Sequence, residues 1–220
     1  MAQSNESTLS IAVAGFADGD AIPGAYAFCV PAASGHVTLA PNRNPRVSWS
    51  GAPPRTRSYA LLCVDADAPT VPDNVNKEGV TVPASLPRAD FSHWVLVDIP
   101  PTVTEIAEGA DADGVVARGK PLGNTAYGVR GRNDYTGWFA GDADMAGTYG
   151  GYDGPCPPWN DERVHRYTFT IYALDVDSLG LSGDFGLAEV RDAITGHVLA
   201  AASQSGTYTL NPDQGATHGG

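Results

Sequence analysis

Short apolar runs separated by turn-forming residues recur along this chain and predict strands. Thr8 to Val13 alternates polar and apolar positions, and Tyr26 to Val30 and Pro45 to Trp49 are further short candidates. Alternation with a period of two is typical of a strand with one buried face. Ser58 to Asp65 is nearly continuously apolar, which predicts a central strand buried on both faces.

Two longer apolar runs have a histidine as their first or second residue. His93 to Ile99 is one, and Val164 to Leu174 is the strongest strand pattern in the chain. Because residues two apart share a strand face, His165 and Tyr167 lie side by side. The strand that starts at Ser58 ends in Asp65-Ala66-Asp67. These strand ends predict one polar pocket, with two histidines and two aspartates, at the rim of a sheet.

A single segment has a helical period. Leu187 to Ala202 carries Val190, Ile194 and Val198 at intervals of four, with charged residues between them. Thr207 to Leu210 is a candidate final strand. We therefore predict one helix near the C-terminus, followed by a short strand.

Long segments without a clear period join the strands. Residues 70–92 and 102–160 are of this kind, and the aromatic residues of the second indicate that it packs on the body of the protein. Because the strands lack helical crossovers, we predict an all-β, mostly antiparallel β-sandwich with one C-terminal helix and long loops.

Composition limits the domain organisation and the partners. The 220 residues, 42% of them hydrophobic, predict a single domain over 1–220, with 1–7 and 211–220 as flexible tails. The net charge of −12 argues against a nucleic-acid partner. The apolar runs have the length of strands, so no transmembrane segment is expected.

The cysteines give little indication of a disulfide or of zinc. Cys29, Cys63 and Cys156 are an odd number and have no Cys-x-x-Cys spacing. Cys63 lies in an apolar run and is expected to be a small buried residue. Met1 to Thr8 lacks the basic start of a secretory signal, so a reducing cytoplasm is the expected location.

Four motifs stand in a characteristic order along the chain. They are Asp65-Ala66-Asp67-Ala68-Pro69, His93-Trp94, Gly154-Pro155-Cys156-Pro157-Pro158 and His165-Arg166-Tyr167. Together they resemble the phosphatidylethanolamine-binding protein family, in particular its prokaryotic, Raf-kinase-inhibitor-like branch. The resemblance covers residues 8–211. Ala66 departs from the proline that is usual in the family, which removes no ligand group.

The resemblance implies a β-sandwich with a small pocket for phosphate and phosphoethanolamine-type head groups. The residues expected to bind the ligand are Asp65, Asp67, Pro69, His93, Tyr152, Gly154, Pro155, His165 and Tyr167. The imidazoles, the Tyr167 phenol and the Gly154 N–H would donate to phosphoryl oxygens, and Asp65 would orient a histidine or meet an amine. Nothing in the sequence marks a place for acyl chains.

Other interpretations stay open at this point. The same His–Asp pocket could serve a non-covalent acid–base enzyme, an isomerase or cyclase, and 102–160 could be the docking surface of a protein–protein regulator. Both histidines could also be core residues satisfied by the backbone, and Tyr152 and Tyr167 could be core aromatics. Two histidines and one aspartate match a facial-triad metal site, but the short ligand spacing is missing. We expect no cofactor, no metal, and a homodimer as one oligomeric state.

Overall fold

The computed structural model describes residues 8–214. Its strands are β1 (Ser10–Val13), β2 (Cys29–Pro31), β3 (Val37–Leu39), β4 (Val47–Ser50), β5 (Ser58–Pro69), β6 (Arg88–Ile99), β7 (Glu105–Ile106), β8 (Gly123–Asn124), β9 (Val129–Arg130), β10 (His165–Leu174) and β11 (Val198–Tyr208). The helices are the single turn α1 (Tyr135–Trp138) and α2 (Leu187–Ile194), and 3₁₀ turns cover Gly24–Tyr26 and Pro212–Gln214.

The strands form three sheets in which all neighbours are antiparallel. The largest sheet has the order β11-β10-β5-β6-β9-β8, the second has the order β1-β4-β7, and β2 pairs with β3. Val47 and Trp49 of the second sheet share one apolar core with Leu61, Trp94 and Phe169 of the large sheet. The predicted antiparallel all-β sandwich is therefore confirmed.

β5 is the central strand that its apolar run predicts. Leu61 and Cys63 are buried in the core between the sheets, and Ala60 and Leu62 are buried on the opposite face with Val190 of α2. Both faces of the large sheet are therefore covered. β5 and β6 continue further than the apolar runs indicate, and their pairing is irregular between Asp65 and Ala68.

The C-terminal helix is shorter than the expected Leu187 to Ala202. It ends at Ile194, and Val198–Tyr208 is β11, paired with β10 along its length. Gly196 has φ +85°, a left-handed conformation that favours glycine and commonly ends a helix. Val198, which extends the apolar interval of four residues, belongs to the edge strand β11 and not to the helix. β11 also includes Thr207 and Tyr208, the first two residues of the expected final strand.

The loops and chain ends differ in part from expectation. Tyr26 to Val30 is a 3₁₀ turn followed by β2. The aromatic residues Tyr135 and Tyr149 of 102–160 are buried, as predicted. Asn211 is buried and donates to the Asp161 carbonyl oxygen at 2.7 Å, so the ordered chain extends into the expected tail. The expected tails at 1–7 and 215–220 lie outside the described residues.

A disulfide joins Cys29 and Cys156, whose Cα atoms are 5.0 Å apart, although the sequence argued against one. The odd cysteine count misled because Cys63 alone stays a free, buried thiol, as expected. The bond ties β2 to the proline-rich segment 154–158, and both cysteines line the cavity described below.

Alkylation of the unfolded chain tests this disulfide. In denaturant without reductant, we expect iodoacetamide to add once, at Cys63, because the other two thiols are joined. With reductant the three cysteines should all react. Intact-mass spectrometry measures both, and three additions without reductant, in protein purified under air, would contradict the bond.

Candidate functional site

The end of β10 brings His165 against two carboxylates. Its Nδ1 lies 2.7 Å from Asp65 Oδ2, and its Nε2 lies 3.1 Å from Asp161 Oδ2. The Asp65 contact follows from the register, because Tyr167 of β10 stands opposite Asp65 of β5. All three side chains are buried. His165 therefore uses both ring nitrogens within the protein, which differs from its expected role as a donor to ligand.

Arg88 completes a buried row of alternating charges: Asp65, His165, Asp161 and Arg88. The Arg88 guanidinium donates two hydrogen bonds to Asp161, at 2.5 and 2.9 Å, and others to the carbonyl oxygens of Asp67 and Pro83. Two positive and two negative groups compensate one another, which buried charges require. We call these four side chains the charge row.

The charge row shifts the pKa values of its members. Burial alone would lower the pKa of His165, but its hydrogen bonds to Asp161 and Asp65 and their negative charges raise it to about 9. Burial likewise opposes ionisation of Asp161, but the hydrogen bonds from His165 and Arg88 hold the pKa of that carboxyl below its ordinary value. His165 is thus an imidazolium at neutral pH.

His93 on β6 has its pKa shifted in the opposite direction from that of His165. Its Nδ1 lies 2.7 Å from the Asp153 carbonyl oxygen, and burial lowers its pKa although Asp65 raises it in part. A neutral imidazole in this contact donates from Nδ1, because the carbonyl can only accept. Its Nε2 then carries a lone pair, and this atom has no hydrogen-bond partner within residues 8–214.

Tyr167 places an unsatisfied hydroxyl next to His93. The two rings meet edge to face with centroids 5.0 Å apart. Tyr167 Oη is one of three buried side-chain polar atoms, in the described part of the chain, that have no hydrogen-bond partner. Burial raises the pKa of this phenol well above its ordinary value, so the hydroxyl keeps its proton. Such a group costs about 1–3 kcal/mol when left unpaired.

These side chains lie at a cavity of about 630 Å³. Five of the nine residues expected to bind ligand line it: Asp65, Pro69, His93, His165 and Tyr167. Cys156, Pro157 and Pro158 also line it, so the cavity brings together residues from all four predicted motifs.

The other four expected residues do not line the cavity, and their polar groups have partners within the protein. The Gly154 N–H donates to Asn42 Oδ1 at 2.8 Å and is not free for an anion. Tyr152 donates to the Tyr26 carbonyl oxygen. The Pro155 carbonyl accepts from the backbone N–H of Phe28, and Asp67 accepts from Arg163 and from the Arg166 N–H. These polar groups are occupied by the protein, and a part for these four residues in ligand binding stays a prediction.

A buried hydrogen-bond cluster around Asp153 fixes the orientation of His93. Asp153 accepts from Asn42, Asn133 and Lys120, each at 2.7 or 2.8 Å, and its backbone N–H donates to the His93 carbonyl oxygen. Burial raises the pKa of Asp153, and the Lys120 charge opposes this. The carbonyl that orients the His93 ring therefore belongs to a residue held from several sides.

Most of the cavity wall is apolar, which the sequence motifs did not indicate. The apolar and aromatic lining residues that were not expected are Phe28, Leu39, Val71, Val75, Phe91, Tyr135, Trp138, Phe139 and Met145. Leu39, Val71 and Trp138 are 58%, 43% and 49% exposed, which places them at the mouth. Large exposed apolar residues gathered at one opening are typical of a binding site.

The charges that face the cavity are mostly negative. Asp134, which was also not expected, lines it and accepts through Oδ2 from the Ser92 N–H and hydroxyl. The lining contains Asp65, Asp134 and the two histidines, and no lysine or arginine. Within residues 8–214 no group of three or more His, Cys, Asp or Glu side chains has the arrangement of a metal site.

Comparison with known proteins agrees with this architecture. The family model described as phosphatidylethanolamine-binding protein matches residues 13–209. A UPF0098 protein of Methanothermobacter thermautotrophicus is 34% identical over 76% of this chain and 83% of its own length. UPF0098 protein YbcL of Escherichia coli is 28% identical over 77% of this chain and 73% of its own.

Two crystal structures share the fold. A phosphatidylethanolamine-binding protein homologue, CT736 of Chlamydia trachomatis, has a TM-score of 0.62 and 25% identity, covering 92% of this chain and 97% of its own. The structure of Escherichia coli YbcL has a TM-score of 0.65 and 24% identity, covering 91% and 98%. The likeness therefore extends over almost the whole of each compared chain.

Proposed function

Because the chain belongs to the phosphatidylethanolamine-binding protein family, we propose that its cavity binds a small ligand with a phosphoryl head group, of the phosphoethanolamine type. The unpartnered Tyr167 hydroxyl carries this proposal. A buried donor without an acceptor gains a hydrogen bond when a ligand oxygen reaches it, and a charged oxygen strengthens that bond.

His93 complements Tyr167 in holding a phosphoryl group. A phosphate monoester that retains one proton donates it to the lone pair of His93 Nε2 and accepts a hydrogen bond from Tyr167 Oη. His165 acts indirectly, since its two nitrogens hold Asp65 and Asp161 in place.

The acidic residues favour a zwitterionic head group over a bare anion. Asp65 and Asp134 line the cavity; the His165 imidazolium pairs with Asp65, but no lysine or arginine lines the cavity to offset Asp134. An ammonium group gains from the Asp134 carboxylate, whereas an anion without an ammonium group is repelled by it. We therefore expect O-phosphoethanolamine to bind more tightly than inorganic phosphate.

The apolar wall extends the proposal to an amphipathic ligand. Phe28, Leu39, Val71, Trp138 and Met145 form a surface on which a hydrocarbon group is removed from water. Each methylene buried there contributes about 0.8 kcal/mol to binding. This surface supplies the place for an apolar group that the sequence did not reveal.

Thermal shift with O-phosphoethanolamine tests the head-group proposal. Ligand at 100 times its Kd stabilises the folded state by about 2.7 kcal/mol, so Tm should rise by about 5–10 °C in a protein of this size. At the same ligand concentration Tyr167→Phe should remove at least about half of this shift, because affinity falls at least about tenfold when the donor is lost. Its Tm without ligand should stay level or rise, because the lost hydroxyl has no partner.

Tyr172→Phe is the matched control, because Tyr172 lies on the same strand and packs in the core on the opposite face of the sheet. It should keep the full shift. Equal shifts in the parent protein and in Tyr167→Phe, at matched ionic strength, would refute the binding mode, and no shift in any protein would refute the head group.

Location and assembly are part of the proposal. No helix in the described part of the chain is long and apolar enough to cross a membrane. A disulfide such as Cys29–Cys156 is typical of oxidising compartments and counts against a cytoplasmic location. The cytoplasmic location therefore stays a prediction from the sequence. The homodimer also stays a prediction, which light scattering tests.

A further inference from the structure

We infer that this cavity also catalyses proton transfer at a carbon next to a carbonyl group, with His93 as the base and Tyr167 as the donor to the carbonyl oxygen. The substrate class is an apolar or amphipathic ketone or aldehyde with an acidic C–H. The inference goes beyond ligand binding and requires no phosphoryl group.

His93 has the geometry of a general base. Its Nδ1 is engaged by the Asp153 carbonyl oxygen at 2.7 Å, which fixes the tautomer with the lone pair on Nε2. The ring lines the cavity, and Phe91 and Tyr135 pack on it with centroids 5.1 and 5.5 Å away. A base needs this combination of one fixed tautomer and a free second nitrogen.

Tyr167 has the position of an oxyanion donor. Its hydroxyl is buried, unpartnered and protonated, and its ring touches that of His93. A neutral donor that is fixed in place before reaction stabilises negative charge developing on a carbonyl oxygen without reorganisation. A donor beside a base is the pair of groups that enolisation requires.

The reaction balances without any redox partner. His93 Nε2 takes the proton as the C–H bond breaks, and that electron pair becomes the C=C bond of an enolate. The carbonyl π pair moves to the oxygen, which accepts the Tyr167 hydrogen bond. The proton then returns from Nε2–H to the same carbon, which exchanges hydrogen, or to a conjugated carbon, which moves a double bond.

Surrounding charges suit the protonated base. Asp65, Asp134 and Asp153 each favour the imidazolium form of His93, while burial keeps the resting ring neutral. The facing cation is His165, which is already paired with Asp65 and Asp161. His93 can thus accept a proton during reaction and has nearby carboxylates to stabilise the resulting charge.

Hydrogen–deuterium exchange into phenylacetone tests the inference. We expect the protein in D₂O to accelerate loss of the benzylic proton signal, followed by NMR, at least about hundredfold over buffer alone. His93→Gln should abolish the acceleration. Tyr167→Phe, which loses a hydroxyl without a partner, should fold normally and lower the rate at least about tenfold. The acceleration should persist to a lower pH than for an ordinary imidazole, because burial lowers the pKa of His93.

His197→Gln is the control for histidine as a surface base, because His197 pairs with Asp175 and does not line the cavity. It should retain the full rate. Exchange no faster than in buffer, or an equal rate in folded His93→Gln, would overturn the inference. If O-phosphoethanolamine still gives a shift that depends on Tyr167, the binding proposal survives that result.

Discussion

Asp161→Ala should lower the free energy of unfolding by about 3–5 kcal/mol, measured by urea titration at pH 7. The substitution leaves the Arg88 guanidinium, whose side chain is 5% exposed, without its carboxylate partner. It also removes the Nε2 partner of His165. An unpaired buried charge costs more than the pair contributes, so the loss exceeds that of any exposed ion pair in the protein.

The neighbouring Glu162 supplies the control, because it is exposed and bonds the Ala84 N–H and the Thr81 hydroxyl. Glu162→Ala should cost far less than Asp161→Ala, because an exposed side chain leaves no buried charge unpaired. Combining Asp161→Ala with Arg88→Met should cost less than the sum of the two single changes, because the cation left unpaired is then absent. Simple additivity of the two changes would show that the charge row does not act as a unit.

The strands that carry the site could be predicted because their apolar and polar pattern is visible in consecutive residues. β10 shows its apolar row directly in the sequence, and His165 and Tyr167 share a face by the period of two. Asp65 faces Tyr167 because β5 and β10 are antiparallel neighbours, which the sequence suggested without fixing the register. The strand pattern and the motifs thus identified the polar residues that line the cavity.

What the sequence missed depends on contacts between distant segments. Asp161 and Arg88 lie 73 residues apart, outside the apolar runs, and meet only after β6 and the segment before β10 are packed. Gly154 was expected to donate to ligand, but the fold brings Asn42 to its N–H across 112 residues. No local pattern encodes which partner a backbone donor finds.

The apolar wall was missed for a related reason. Leu39, Val71 and Trp138 come from a hairpin, a loop and a one-turn helix, and none belongs to a periodic pattern. In the sequence each is an ordinary apolar residue. Only their convergence at one opening distinguishes them from scattered surface residues, which need no explanation.

The stability of the protein should fall by about 3 kcal/mol as the pH rises from 6.5 to about 9, because the unfolded chain releases the His165 proton near pH 6.5 whereas the folded state keeps it until about pH 9. The folded pKa lies above the ordinary value of 6.5, so the native state binds more protons than the unfolded chain between these values. The stabilisation is therefore complete below pH 6.5 and is lost as the pH passes about 9. Urea unfolding at fixed pH steps measures it.

The slope, and not the stability at one pH, identifies His165 as the source. His165→Gln should flatten the curve between pH 6.5 and 9 even if it lowers stability throughout, whereas His197→Gln should leave the slope unchanged. The buried Cys63 thiol, whose pKa burial raises, adds a loss only near the alkaline end and does so in all three proteins. A parent curve as flat as that of His165→Gln would mean that Asp65 and Asp161 do not hold a proton on His165.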